Sequence, residues 1–429
     1  MLKSIHRAKY VLAEPELLLS NAAVHISDPG RIVRIEPWHD PPAIPGIEIM
    51  DWGNAVIMPG LINAHAHLEL TALYGQLTSF SSFTDWISQL IDRRRLWTRE
   101  QFLDSARAGA HAALTSGTTL VGDVTSSGFA WEAACGTDLR HVVFQEAIGL
   151  APADADQVLS QIQSILDGTS PNPLLMPGIS PHAPYSVSPE LYRRLAEMAR
   201  SRQLLLASHI AETKAEIQFL ETGTGEFKDF LSGRGILPDH WRYPELAPIA
   251  YLDSLEVLGQ SCILIHCNYL DEESIRRILR TRSSVVYCPR SHNFFGHDTH
   301  PVRKLLDSGI NVALGTDSLA SNSSLSMLDE MRFLFNVRKD IKPEEIFRAA
   351  TLNGAAALSF GGVLGRLRRG YWADLTVLEI PEGLGSRLLL THMLEGAGEC
   401  IATIIHGKVA WSKQSSRQPP VGSEHTRGT

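Results

Sequence analysis

The residues of this chain best suited to chemistry stand directly after apolar runs. His65 and His67 close LINAHAH (61–67), and His182 closes LLMPGISPH (174–182). His209 and Glu212 end LLLASHIAE (204–212), His266 follows ILI in CILIHCNYL (262–270), and Asp317 follows ALGT in NVALGTDS (311–318). An imidazole or carboxylate at the end of a buried apolar segment is costly unless it is paired or bound to a metal. Alternate residues of a strand point the same way, so His65 and His67 can reach one ion. An isolated His-x-His is more often two satisfied core histidines. His209 and Asp317 in equivalent positions turn this pair into three imidazoles and a carboxylate, a donor set suited to one divalent ion, Zn²⁺ first and Fe²⁺ as the alternative.

Glu212, in HIAET, is either the partner of a helix start or a general acid/base beside the ion. His266 is either a buried core histidine or the base that faces a hydrolytic water, and Asp317 can both ligate and take a proton. The fourth run ends SPHAPYS, without the lysine that a bridged two-metal barrel would need, so one ion is expected.

These groups need a scaffold that gathers strand ends. Between the runs above lie further strand-like segments, TTLVGDVTS (118–126), HVVFQEAIG (141–149) and SVVYCPRS (284–291). That makes eight, separated by helix-like stretches such as 99–117 and 188–203, the latter opening on Ser188 before Pro189. Alternation of this kind predicts parallel βαβ units, and eight of them close a (β/α)8 barrel whose working groups sit at the C-terminal strand ends. Residues 1–58 and 363–412 read instead as short strands with turns, and predict a small β-sandwich domain built from both termini around a barrel over 59–362. The stretch 213–261 is too long for one crossover helix and predicts a helix plus an inserted loop, a candidate lid. The Pro/Gly/Ser-rich tail, 413–429, is expected to be disordered.

With 429 residues, 44% hydrophobic and 20% charged, the composition is that of a globular protein. A net charge of −8 without a basic block argues against nucleic acid as a partner. No apolar run approaches membrane-spanning length and the start lacks a signal-peptide pattern, so the expectation is a cytoplasmic protein with no membrane contact. Cys135, Cys262, Cys267, Cys288 and Cys400 are scattered, and are read as core packing rather than disulfides.

HAH after PGLIN, then HAPYS, HIAET, IHC, CPRS and LGTDSLAS in that order, resemble the amidohydrolase superfamily. The match is specific to its cytosine deaminase/chlorohydrolase-like branch and covers about residues 50–411. GVLGRLRRGYWADLTVLE is similar to the return of that branch into its β-sandwich. The resemblance implies a single metal held by His65, His67, His209 and Asp317, with Glu212 as the acid that protonates a ring nitrogen. It gives His266 the orienting of water, and places His182 and Ser318 at the substrate. PHAPYS and the Trp86 segment FTDWISQLI resemble methylthioadenosine/adenosylhomocysteine deaminases, with Trp86 as a stacking platform.

Two departures stand out. Where those nucleoside deaminases carry an acid that holds the ribose hydroxyls, this chain reads DRRRLW, which either meets an acidic group on the substrate or is a solvated helix face. His292 stands where Asn is commoner, and with His297 and His300 either reshapes the pocket or lies on a loop surface. The implied activity is hydrolytic deamination of an adenosine-type nucleoside such as methylthioadenosine, adenosylhomocysteine or aminodeoxyfutalosine. The partner is then a small molecule, and a homodimer or higher homo-oligomer is implied by analogy. The rival readings are a cyclic amidase or chlorohydrolase on the same site, and a non-catalytic binding barrel.

Overall fold

A computed structural model of the chain describes residues 2–39 and 46–413. All but the first residue of the tail expected to be disordered lies outside them. The opening segment folds as β1 (Leu2–Glu14), β2 (Leu17–Ser27), β3 (Arg31–Pro37), β4 (Glu48–Asp51) and β5 (Ala55–Pro59).

The barrel follows as β6 (Leu61–Ala66), β7 (Thr118–Thr125), β8 (Arg140–Ala147), β9 (Leu175–Pro181), β10 (Leu205–Ile210), β11 (Cys262–His266), β12 (Ser284–Tyr287) and β13 (Val312–Leu314). These eight coincide with the eight apolar runs and pair in chain order, each parallel to the next. Backbone bonds from Thr316 N (3.0 Å) and Asp317 N (3.1 Å) to His65 O bring the last strand end back to the first. Asn63 secures the seam, donating to Thr316 Oγ1 at 2.7 Å and accepting from Thr316 N at 3.1 Å. Gly315 permits it, because a Cβ there would lie 2.8 Å from His65 O. Ile62, Leu120, Phe144, Leu205, Ile265, Val286 and Ala313 place seven of the strands in one apolar cluster. Each buried Ile, Leu, Val or Phe side chain among them contributes about 1.5–3 kcal/mol.

The helices start where the sequence predicts. Thr98 and Gln101 form a capping box before Arg99–Thr115, and Ser188 Oγ accepts from Leu191 N (3.2 Å) ahead of Pro189–Ser201. The 213–261 stretch departs from the helix-plus-loop expectation. It folds as three helices, Lys214–Thr222, Glu226–Gly233 and Pro248–Ser254, whose Phe219, Phe227, Leu231, Ile249 and Leu252 enter the main core. Phe219 stacks on Trp241 at 4.3 Å and Phe227 on Tyr185 at 4.0 Å, so aromatic burial overrides the breakers.

The chain then returns through β14 (Leu375–Glu379), β15 (Glu399–Ile405) and β16 (Lys408–Ser412). β14 pairs antiparallel with β5, so both termini share one mixed sheet, ordered β16-β15-β14-β5-β1-β2-β3 with β4 beside β1. Ile32 N bonds Tyr371 O (2.9 Å), which curls the β3 edge toward the segment entering β14. Val11, Val24, Ile26, Ile57, Val377 and Ile404 from these strands pack in one cluster.

Four of the five cysteines are buried as expected. Cys135 is exposed, because it ends the short helix Ala130–Cys135 at the surface. No helix among the described residues is long and apolar enough to cross a membrane.

Arg140, at the start of β8, reaches Asp374 through Nε–Oδ2 (3.1 Å) and Nη2–Oδ1 (3.3 Å), with both side chains almost wholly buried. Asp374 also accepts from His406 N at 2.8 Å, so the pair joins the barrel to the terminal sheet. Asp374→Ala is expected to destabilise the fold by about 3–5 kcal/mol, since it strands a buried guanidinium. Denaturant unfolding monitored by fluorescence checks this, and a loss under about 1 kcal/mol, the range of an exposed ion pair, contradicts it.

Candidate metal centre and active-site cavity

The C-terminal ends of β6, β10, β11 and β13 deliver the side chains singled out by the sequence to one place. The His65 and His67 rings lie 4.8 Å apart by centroid, His65 and His209 5.0 Å, and His67 and His209 5.2 Å. His67 Nε2 and His209 Nε2 face each other at 3.2 Å. Asp317 Oδ1 is 3.7 Å from His65 Nε2 and 3.8 Å from His67 Nε2. Candidate donor atoms of His65, His67 and Asp317 lie within 4.8 Å of one another, and so do those of His65, His209 and His266.

The backbone is bent to achieve this. Ala211 (φ +50°), His266 (+72°), Cys267 (+53°) and Asp317 (+59°) adopt left-handed conformations that non-glycine residues rarely take, all at strand ends around the site.

The electrostatics match a cation. Burial holds the His67 and His209 imidazoles well below their ordinary range and takes His266 down to about 3, so all three are neutral, as ligation requires. Burial alone would raise Asp317, but the facing His65, then His266 and His67, hold its carboxyl well below the usual range. Asp317 Oδ2 accepts from Ser291 Oγ (2.6 Å) and Ser321 Oγ (2.8 Å), which leaves Oδ1 toward the histidines while taking Ser318 N at 2.7 Å. His209 Nδ1 lies 3.1 Å from His182 O, a donor geometry that leaves Nε2 with its lone pair toward His67. Both ring nitrogens of His65 are buried without a hydrogen-bond partner among the described residues. A buried polar atom without a partner is expensive, and an ion shared by this donor set would partner one of the two. The residues present therefore fit a divalent metal.

Glu212 sits beside this cluster, its Oε1 3.4 Å from His266 Nε2. Burial, then Asp317 and Glu216, push its carboxyl well above the usual range. Its loop is clamped. Glu216 accepts from Ala211 N and Glu212 N, both at 2.9 Å, and Asn268 Nδ2 donates to Glu212 O at 3.0 Å.

A cavity opens over the cluster, lined by the polar His67, His182, His209, Glu212, His266, Asp317 and Ser318 and by the apolar Leu70, Phe83, Trp86, Ile87 and Leu90. Trp86 is buried, stacked near Phe83 (5.9 Å) and pinned by Nε1 to Ala320 O at 3.4 Å. His182 is anchored by Ser186 Oγ at 2.6 Å from Nδ1, and burial lowers it to about 4.

The DRRR segment divides. Arg94 lines the cavity and donates to Glu69 Oε1 (3.3 Å) and Ser126 Oγ, whereas Arg93 and Arg95 face solvent. His292, His297 and His300 pack around Tyr287 and Tyr269 behind His266 rather than on the cavity wall, and His300 Nε2 meets His266 O at 2.9 Å. Two buried acids were missed by sequence reasoning. Glu216 carries the Thr-x-x-Glu signature with Thr213, a signal that could have found it. Glu146, at the end of β8, also lines the cavity. Burial, moderated by Arg94, takes its carboxyl up to about 7.

The fold is thus a parallel eight-stranded barrel beside a mixed sheet built from both termini, with histidines and an aspartate gathered at the barrel's strand ends. The chain belongs to the amidohydrolase family, whose model matches residues 56–410. It is 29% identical over 376 residues to a 5-methylthioadenosine/S-adenosylhomocysteine deaminase of Syntrophobacter fumaroxidans, covering 84% of this chain and 81% of the relative. It is 31% identical over 327 residues to an aminodeoxyfutalosine deaminase of Deinococcus radiodurans, covering 74% and 76%. Among solved structures, an adenosine deaminase from Xanthomonas campestris with bound zinc superimposes with a TM-score of 0.82 at 26% identity, over 95% of this chain and 92% of that one.

Proposed function

We propose that this chain is a hydrolytic deaminase of an adenosine-type nucleoside, working with one divalent ion, Zn²⁺, held by His65, His67, His209 and Asp317. The observation that carries it is the buried Glu212, which lines the same cavity as His67, His209 and Asp317. When bound, the ion supplies a Lewis acid that brings the pKa of water from 15.7 toward about 7.

The chain's own groups do the rest. Trp86 and Phe83 offer an apolar face to the heterocycle, with His182 and Ser318 at its polar edge. Glu212 gives its proton to the ring nitrogen beside the carbon that bears the amino group, which makes that carbon electrophilic. His266 orients the attacking water, and Asp317 accepts its proton. Water oxygen bonds to the carbon, the exocyclic nitrogen takes the proton held by Asp317, and the carbon–nitrogen bond breaks to release ammonia while the new hydroxyl returns its proton to Glu212 and becomes the oxo group. An unprotonated amine is a poor leaving group, so the proton shuttle is indispensable.

The test is ammonia release from a panel of 5-methylthioadenosine, adenosylhomocysteine, aminodeoxyfutalosine, adenosine and guanine, with metal content measured on the same sample. Release from at least one nucleoside by protein carrying about one ion per chain, the single-site stoichiometry, is expected. Release from none contradicts the proposal.

A further inference from the structure

His266 ends β11 in a backbone arrangement that proteins use sparingly. Its φ is +72°, and Cys267 N bonds Ile265 O across it at 3.2 Å. A turn closed over three residues about a positive φ is rare and strained for a residue with a side chain. Such a conformation persists where its surroundings over-determine it. Cys267 N also bonds Ile210 O at 3.0 Å, which ties the turn to β10. The His266 carbonyl is met by a side chain from a distant segment, His300 Nε2, at 2.9 Å.

His300 is held for that contact. It is buried, its ring stacks on Tyr287 with centroids 3.8 Å apart, and its own carbonyl accepts from Arg338 Nη1 at 2.8 Å. Burial holds the imidazole well below its ordinary range, so it is neutral and carries one ring proton. A carbonyl accepts and cannot donate, which puts that proton on Nε2. Nδ1 accordingly has no hydrogen-bond partner among the described residues. The single donor of the ring is spent on the His266 backbone. The turn there decides where the His266 side chain goes, and its Nε2 lies 3.4 Å from Glu212 Oε1 at the cavity wall.

We propose that His300 is a positioning residue of the reaction, which donates to the His266 carbonyl and locks the strained turn that aims the His266 ring at the hydrolytic water. This rests on the deaminase reading and on the role that reading gives His266. A displacement of about 1 Å in a catalytic group can cost about 100-fold in rate.

The experiment measures ammonia release by the zinc-loaded full chain on the nucleoside of the panel above that it turns over fastest, with metal content determined for each protein. Gln at position 300 places an amide nitrogen near where Nε2 stood, Asn is too short to reach the carbonyl, and Leu donates nothing. His300→Leu and His300→Asn are expected to lower kcat at least about 10-fold, with KM within about threefold and metal content unchanged. His300→Gln is expected to exceed His300→Asn at least about fivefold in kcat, because it restores the donor. In a His266→Ala background, His300→Asn should cost less than about twofold further, since the ring it positions is gone.

Wild-type kcat in His300→Asn overturns the proposal. An undiminished loss in the His266→Ala background overturns it too, as does a loss that falls on KM or on metal content, because His300 would then serve general packing. If His300→Leu does not fold, the comparison of Gln with Asn decides, and equal rates overturn the proposal. Ammonia from no nucleoside refutes the deaminase reading, and this inference with it. Wild-type kcat in His266→Ala refutes the role of His266 and the inference together. An impaired His266→Ala beside fully active His300 variants refutes the His300 inference alone.

Discussion

Replacement of Glu212 by Gln is expected to lower kcat at least about 100-fold while metal content and KM change little. Gln has the same shape and can still hydrogen-bond, but it cannot transfer a proton to a ring nitrogen. The loop has little freedom to compensate, because Glu216 holds the Ala211 and Glu212 amides and Asn268 holds the Glu212 carbonyl. The loss therefore reports chemistry rather than displacement. His266, 3.4 Å away, is neutral and carries a pKa of about 3, too acidic to retain a proton for delivery at neutral pH. Steady-state kinetics with metal analysis of the variant decides the matter, and undiminished turnover removes Glu212 from the mechanism.

Removal of the metal is expected to have the larger effect. Dialysis against a strong chelator should reduce ammonia release to background, and Zn²⁺ should restore it. Without an ion, His65 keeps two buried nitrogens unpaired, and His67 and His209 point at each other across 3.2 Å. The same reasoning predicts a stability change. An ion present at about 1,000 times its Kd adds about 4 kcal/mol to the folded state, so the apo protein should melt measurably lower. Full activity in protein shown to be metal-free, or identical melting of the apo and zinc-loaded forms, counts against the proposed centre.

Much of this was legible in the sequence because barrel strands buried on both faces read as continuous apolar runs. A polar residue ending such a run is conspicuous, and His65, His67, His209, His266 and Asp317 all announce themselves so. Glu146 obeys the same rule at the end of HVVFQE, but no histidine or known motif marks it, and which face of the strand end it takes is set by the local twist. Arg94 was recoverable from helical periodicity: Phe83, Trp86, Ile87, Leu90, Ile91 and Arg94 share one stripe of the helix Phe83–Arg94, and all line the cavity. Reading DRRR as a block hid that only one of its arginines turns inward. The 213–261 stretch was opaque for a different reason. Its helices are short and interrupted, and aromatic partners distant in the chain, Tyr185 among them, hold them in the core. Such partners are invisible to local pattern.

The most direct test of the account is anomalous diffraction from crystals of the zinc-loaded protein, collected on both sides of the zinc edge. A single peak is expected, about 2.0–2.2 Å from ring nitrogens of His65, His67 and His209 and from a carboxylate oxygen of Asp317. A peak held instead by Glu146, His182 and His209, or none at the ends of β6 and β13, would contradict it.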